Sequence, residues 1–126
     1  MPSADSFLAQ CNLLMCGQPP KEILRKALAT LEDPVRWTQG ARARDDRGRP
    51  VSPSHPSAVC WCMESAVAMA CNPYGVLPPY FMYLLDEVAA EEFGHDYGAP
   101  LFNEHYGHDS IIALLKLALH RAPDVA

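Results

Sequence analysis

No lysine or arginine occurs between Pro50 and Leu115. That stretch carries Glu64, Asp86, Glu87, Glu91, Glu92, Asp96, Glu104 and Asp109 instead, and the chain's formal net charge is −5. The only dense basic run places Arg36, Arg42, Arg44, Arg47 and Arg49 around Asp45 and Asp46, with Trp37 as its sole aromatic. Phosphate contacts need uninterrupted positive charge, so no direct nucleic-acid binding is expected. Nothing approaches the ~18 uninterrupted apolar residues of a membrane span. The opening "MPSADSFLAQCNLLMCGQ" has no basic residue ahead of its apolar part, so it does not read as a secretory signal. Gly-rich phosphate loops, CxxC and HExxH spacings, internal repeats and strands of alternating polarity are all lacking. The 5 cysteines are an odd number without a framework spacing, which suits a reducing compartment and points to the cytoplasm.

What is present is an ordinary globular balance: 126 residues, 49% of them apolar and 20% charged. A chain of this size buries roughly two-thirds of its unfolded surface without metals or cross-links. We expect one helical domain over 1–126, with a core at 21–122 and residues 1–20 as an N-terminal addition. Phe7, Cys11 and Leu14 share a helical face, which suggests a short helix within 3–16. "PPKEILRKALATLED" is amphipathic, with Ile23, Leu24, Ala27, Leu28 and Leu31 on one side and Lys21, Glu22, Arg25 and Lys26 on the other. Asp33-Pro34 stops it. "DDRGRPVSPSHPS" reads as loop because of its Gly and prolines. Ser54 or Ser57 then caps a helix running through "AVCWCMESAVAMAC" to Asn72. Pro78-Pro79 opens another with the stripe Phe81, Leu84, Leu85 and Val88, stopped at Gly94. "HDYGAPLFNEHYGH" reads as a second irregular stretch, and Asp109-Ser110 opens the closing helix. The fold class is therefore all-α, a compact bundle of four to five helices joined by two long Pro/Gly-rich loops.

The thiol-rich helix invites a chemical reading. Cys60 and Cys62 lie about 200° apart around a helix axis, and Cys60 and Cys71 are separated by roughly 16 Å of rise. Neither pair chelates a metal or forms a disulfide within one helix. Cysteine in so apolar a segment acts as a small filler. Glu64 is its only charge, and a buried carboxylate demands a partner. Arg36 and Arg42 are the candidates, unless Glu64 emerges on a wet stripe.

Several of these positions together resemble a family of small uncharacterised bacterial and phage proteins. The family pattern has a Trp-x-x-Gly segment, an acidic-Gly loop, a Trp-Cys-x-x-Gly-Ala helix and an Asn-Asp segment before a closing helix. Here the matching residues are Trp37, Gln39 and Gly40; Asp45, Asp46 and Gly48; Trp61, Cys62 and Ala66; and Asn103, over a span from Ile23 to Ala122. Ser65 stands where glycine is usual, and Glu104 where aspartate is usual. The resemblance implies a compact helical fold and brings no activity with it. The residues themselves read as architecture: indole N–H groups of Trp37 and Trp61 that need partners, a strained backbone angle at Gly40, and Asn103 pinning a loop.

Chemical alternatives are thinner. His95, Asp96, His105 and His108 form a conceivable metal cluster, but without diagnostic ligand spacing. A nucleophilic pair of Cys60 or Cys62 with His55 or His108 would need a thiolate near positive charge, and this segment is apolar and carboxylate-rich. No catalytic residue, metal or cofactor is assigned. The expectation is a non-catalytic protein-binding module, an inhibitor or adaptor of phage or mobile-element origin. Its acidic helix face, Asp86, Glu87, Glu91, Glu92 and Asp96, would meet a basic surface on a host or defence protein. A homo-oligomer is compatible with this, and no membrane is involved. The alternative is an enzyme, or a small-molecule or metal-binding domain, with a pocket between the Trp37 and Asn103 loops.

Overall fold

Two adjacent prolines, Pro19 and Pro20, hold the backbone ready for a helix, and the first element, α1, runs Pro20–Leu31. Its buried face is the expected Ile23, Leu24, Ala27, Leu28 and Leu31. The computed structural model describes residues 17–123; the helix expected within 3–16 lies outside them. After α1 the Asp33 side chain accepts from the Val35 N–H at 3.2 Å and sets a single 3-10 turn, Pro34–Arg36.

The stretch read as loop is partly a small sheet, so the molecule is mostly helical rather than all-α. Strands β1 (Ala43–Arg44), β2 (Pro50–Val51) and β3 (Cys60–Trp61) form an antiparallel sheet in the order β2-β1-β3. Ala43 pairs with both Val51 and Trp61. Two-residue strands carry no alternation to read, which is why periodicity missed them. What makes the hairpin is Asp45, which is buried. Its Oδ1 accepts from the Arg47 and Arg49 N–H groups at 3.0 and 2.9 Å, and its Oδ2 accepts from Arg49 Nε at 2.8 Å. These bonds, the Arg49 backbone first, hold its carboxyl below the usual range against an opposing desolvation. Pro50 sits on the edge strand, where its missing N–H breaks no ladder.

The thiol-rich segment also differs from expectation. Cys60 and Trp61 are extended, and α2 begins only at Met63, running Met63–Cys71. Strand pairing outcompetes helix here, because Trp61 has Ala43 on one side and an isolated bridge to Trp37 on the other. No serine caps α2; Cys62 occupies the N-cap. Beyond Met63 the helix is buried as expected, with Met63, Ala66, Val67 and Ala68 in the core. Cys60 and Cys62 are free thiols, whereas Cys71 is disulfide-bonded, a correction to the reading of three idle thiols.

Helix α3, Pro79–Phe93, buries Phe81, Leu84, Leu85 and Val88 as the sequence predicts. Gly94 takes φ 66°, and the N–H groups of Gly94 and His95 reach Ala90 O and Ala89 O, an αL stop of the Schellman type. The stretch that follows is not wholly irregular. It contains α4, Ala99–His105, opened by Pro100 and by the Asp86 carboxylate, whose Oδ1 accepts from Ala99 N at 2.7 Å. The closing helix α5 runs His108–Arg121, one residue earlier than expected. In the core α1 lies against α2 and α5, α3 against α4 and α5, and α4 against α2. Phe81, Phe102, Leu85 and Leu115 are among its fully buried members.

One buried side chain joins the layers. Asn103 Oδ1 accepts from Trp37 Nε1 at 2.7 Å and from the Met63 N–H at 3.0 Å, while its Nδ2 donates to Thr38 O at 3.1 Å. Asn103 lies on α4 rather than in a loop, and it reaches distant segments rather than its neighbours. Gln39 Nε2 returns the tie, donating to the carbonyls of Asn103, Glu104 and Tyr106 at 2.9, 3.2 and 3.1 Å. Gly40, at φ 76°, gives its N–H to both Glu104 carboxylate oxygens, at 3.0 and 2.8 Å. The Asn103→Ala variant strands three polar groups at once. It should lose about 2–4 kcal/mol of stability by urea unfolding, while Tyr74→Ala at an exposed site should change it by less than about 0.5 kcal/mol.

Candidate functional site

Glu104, which the Gln39 tie holds, lines one side of a cavity of about 660 Å³. Ala41 and Arg42 come from the approach to β1, Cys62, Glu64 and Ser65 from the start of α2, and Met82 from α3. Pro100, Asn103 and Glu104 of α4 close the far side. The remaining wall is the turn after α2. There Asn72 accepts from Tyr74 N and Val76 N and donates to Val76 O at 2.6 Å, so the wall is held by bonds within its own turn. Gly75 is pressed into this turn, at φ 70°; a Cβ there would come within 3.3 Å of both Met69 Sδ and Pro53 Cβ. Side chains of Val76, Leu77 and Met82 make much of the lining apolar.

Two opposite charges line this cavity. Arg42 is anchored by one bond, Nη2 to Gly75 O at 3.0 Å. Glu64 is half-buried in the first turn of α2 and makes no hydrogen bond or contact ion pair with any described residue. Arg36 does not serve it, since its guanidinium lies over the Trp61 ring, 5.6 Å from the centroid. Arg42 lines the same cavity without touching it. Of the two alternatives, the arginine partner is not met among the described residues, and the half-buried carboxyl is pushed up to about 7. Desolvation is the main cause and Asp86 adds repulsion, while Arg42 opposes both. Cys62 is also half-buried, and burial pushes its thiol up, with Glu64 adding to the shift. Its Sγ donates to Ser65 Oγ at 3.2 Å. That is the environment of a poor nucleophile.

The other sequence candidates are dispersed. Trp37, Gln39, Gly40 and Asn103 converge on the tie and support the cavity, whereas Trp61 faces away and donates Nε1 to Pro53 O at 3.0 Å. His95 is buried with Nε2 at 3.0 Å from Gly98 O, His108 Nε2 meets Leu31 O at 2.5 Å, and His55 Nδ1 bonds Ser57. Neither His55 nor His108 lines the cavity that holds Cys62. Among the described residues no group of three His, Cys, Asp or Glu is placed to hold a metal ion. In the acidic face, Arg121 binds Glu91 at 2.7 Å and Glu92 at 3.1 Å and lies 3.8 Å from Glu87. Asp86 caps α4, and Asp96 is exposed. Arg42, Asn72 and Val76 are the site residues that sequence reasoning missed or left unassigned. The turn signal in "NPYG" located Asn72 without showing what its side chain holds.

Glu64 makes stability depend on pH. Its folded value of about 7 lies above the ordinary 4.5, so the folded protein keeps a proton that the unfolded chain releases. Stability therefore falls as pH rises from about 4.5 towards 7. Glu64→Gln removes this loss. In urea unfolding at pH 8 the variant should be about 1–2 kcal/mol more stable than the parent, a figure reduced from the full shift for solvent screening, with no difference at pH 4.

Among the described residues no helix is long and apolar enough to cross a membrane. No curated protein and no solved structure matches the chain. A family model does match, over residues 15–121, reaching into the stretch expected to be an addition. With most of its length covered, the chain belongs to a family of unknown function, DUF6197.

Proposed function

We propose that this protein is a small-molecule-binding module, with the cavity beside Glu64 as its site and no turnover of the ligand. The observation that carries this reading is the Glu64 carboxylate itself, which has no contact partner among the described residues and lines a cavity of about 660 Å³. A carboxylate withdrawn from water without a partner is costly, and such groups concentrate where a ligand supplies what the protein withholds. Few polar groups on a largely apolar, preformed wall is the usual make-up of a small-ligand site. The raised Cys62 thiol argues for binding rather than covalent chemistry.

One observation favours a second reading, an adaptor or inhibitor that docks a basic protein on the acidic face. Tyr83 is 52% exposed beside Asp86, Glu87 and Asp96 in a shallow depression, and Tyr97 is 76% exposed next to it. Aromatic faces among carboxylates suit arginine and lysine side chains. Phage or mobile-element origin belongs to this second reading.

An amide-resolved NMR titration of the full chain separates the two. The probe is a panel of small amines, carboxylic acids, amino acids and nucleosides. Binding should shift the amides of Glu64, Gly75 and Val76, and the Glu87→Lys/Asp96→Lys variant should respond as the parent does. If no compound moves those amides, and a stoichiometric protein partner is lost on that charge reversal, the docking reading replaces the cavity reading.

A further inference from the structure

We propose that the cavity takes a small zwitterion with an apolar side group, in chemical terms an apolar α-amino acid, its ammonium against Glu64 and its carboxylate against Arg42. This rests on the reading of the cavity as a small-molecule site and names its ligand class.

Two unlike charges line one cavity and make no contact pair among the described residues. Left to themselves a guanidinium and a carboxylate on neighbouring walls would close into a bidentate contact. Here each is held by its own element. The Arg42 guanidinium is tethered to Gly75 O, with no other hydrogen bond among the described residues. Glu64 is fixed in the first turn of α2, whose Met63 N–H is bound by Asn103. Donor and acceptor thus line one space, without a contact between them, that a ligand can occupy.

The neighbouring charges narrow what that ligand is. Among the described residues Arg42 before β1 and Asp86 on α3 act on Glu64, Glu64 acts on Cys62 at the start of α2, and Tyr74 and Glu104 line the same cavity. Asp86 spends Oδ1 on the Ala99 N–H, and Glu104 spends both oxygens on Gly40. Glu64 accepts no hydrogen bond from any described residue. A simple amine would satisfy it but would leave Arg42 facing a cation. A simple carboxylate would satisfy Arg42 but would face Glu64 and Asp86. A zwitterion meets both, and complementary charge placement is how small sites discriminate between ligands of equal size. Val76, Leu77 and Met82 supply an apolar wall for its side group, and the volume admits side groups of several sizes.

The test is a calorimetric and NMR titration of the full chain at pH 8, where Glu64 is ionised. The probes are L-leucine, isoamylamine, which lacks the carboxylate, and 4-methylpentanoate, which lacks the amine. L-leucine should shift the amides of Glu64, Gly75 and Val76 and bind at least about tenfold more tightly than either single-charge analogue. Glu64→Gln and Arg42→Gln should each weaken it by about tenfold with the circular dichroism spectrum unchanged. The affinity of the parent should fall from pH 8 to pH 6 as Glu64 takes up its proton, and that of Glu64→Gln should not. Equal binding of L-leucine and isoamylamine, or unchanged affinity in Glu64→Gln, overturns the proposal. If L-leucine is inert while another compound of the panel moves the same amides, the ligand class is wrong and the cavity stands. If nothing moves them, both fall.

Discussion

The carboxamide of Asn103 is the constraint on which the site depends. A primary amide offers a limited set of bonds, and here its oxygen is shared between an indole N–H and the first N–H of α2, while its nitrogen holds Thr38 O. Three segments far apart in sequence are thereby fixed to one point inside a low-dielectric core. Such a junction is all-or-none: satisfied it specifies a unique arrangement, and half-satisfied it is worse than an apolar contact. Gln39 and Glu104 repeat the tie at the surface, so the wall of the cavity inherits its position from the junction.

The same economy of polar groups explains how the two unlike charges stay apart. Nearly every other polar side chain around the cavity is already committed within the fold: Asp86 to the start of α4, Glu104 to Gly40, Asn72 to its own turn, Ser65 to the Cys62 thiol. Arg42 is held by Gly75 O. Glu64 is the exception among the described residues, and its half-buried carboxylate makes the ionised form of the folded protein less stable. Much of the acidic surface, by contrast, is neutralised from within. Arg121 draws Glu91 and Glu92 together and lies near Glu87, which turns a run of like charge into a clasp between α3 and α5.

Membership of the family and the geometry of the tie bear on one another. Four of the positions that carried the resemblance, Trp37, Gln39, Gly40 and Asn103, build the junction. They describe how the molecule is held together rather than what it does. Asn103 lines the cavity itself, and the two opposite charges there, Arg42 and Glu64, lie between those positions.

The sequence by itself determined the helices with long apolar stripes. In α1, α3 and α5 the spacing of Ile23, Leu24 and Leu28, of Phe81, Leu84, Leu85 and Val88, and of the closing leucines is a local property that burial simply uses. The αL stop at Gly94 and the left-handed angle at Gly40 were legible for the same reason, since each depends on one residue type. Tertiary structure decided the rest. Two-residue strands have no periodicity, so the sheet exists only because Asp45 closes a hairpin and Trp61 finds Ala43 and Trp37 alongside it. Helix α4 is too short to announce itself and is nucleated by a carboxylate from α3. That Glu64 has no contact partner among the described residues is likewise invisible in one dimension. Whether an arginine reaches it depends on where Gly75 O holds that arginine, a matter of three-dimensional distance that no spacing along the chain records.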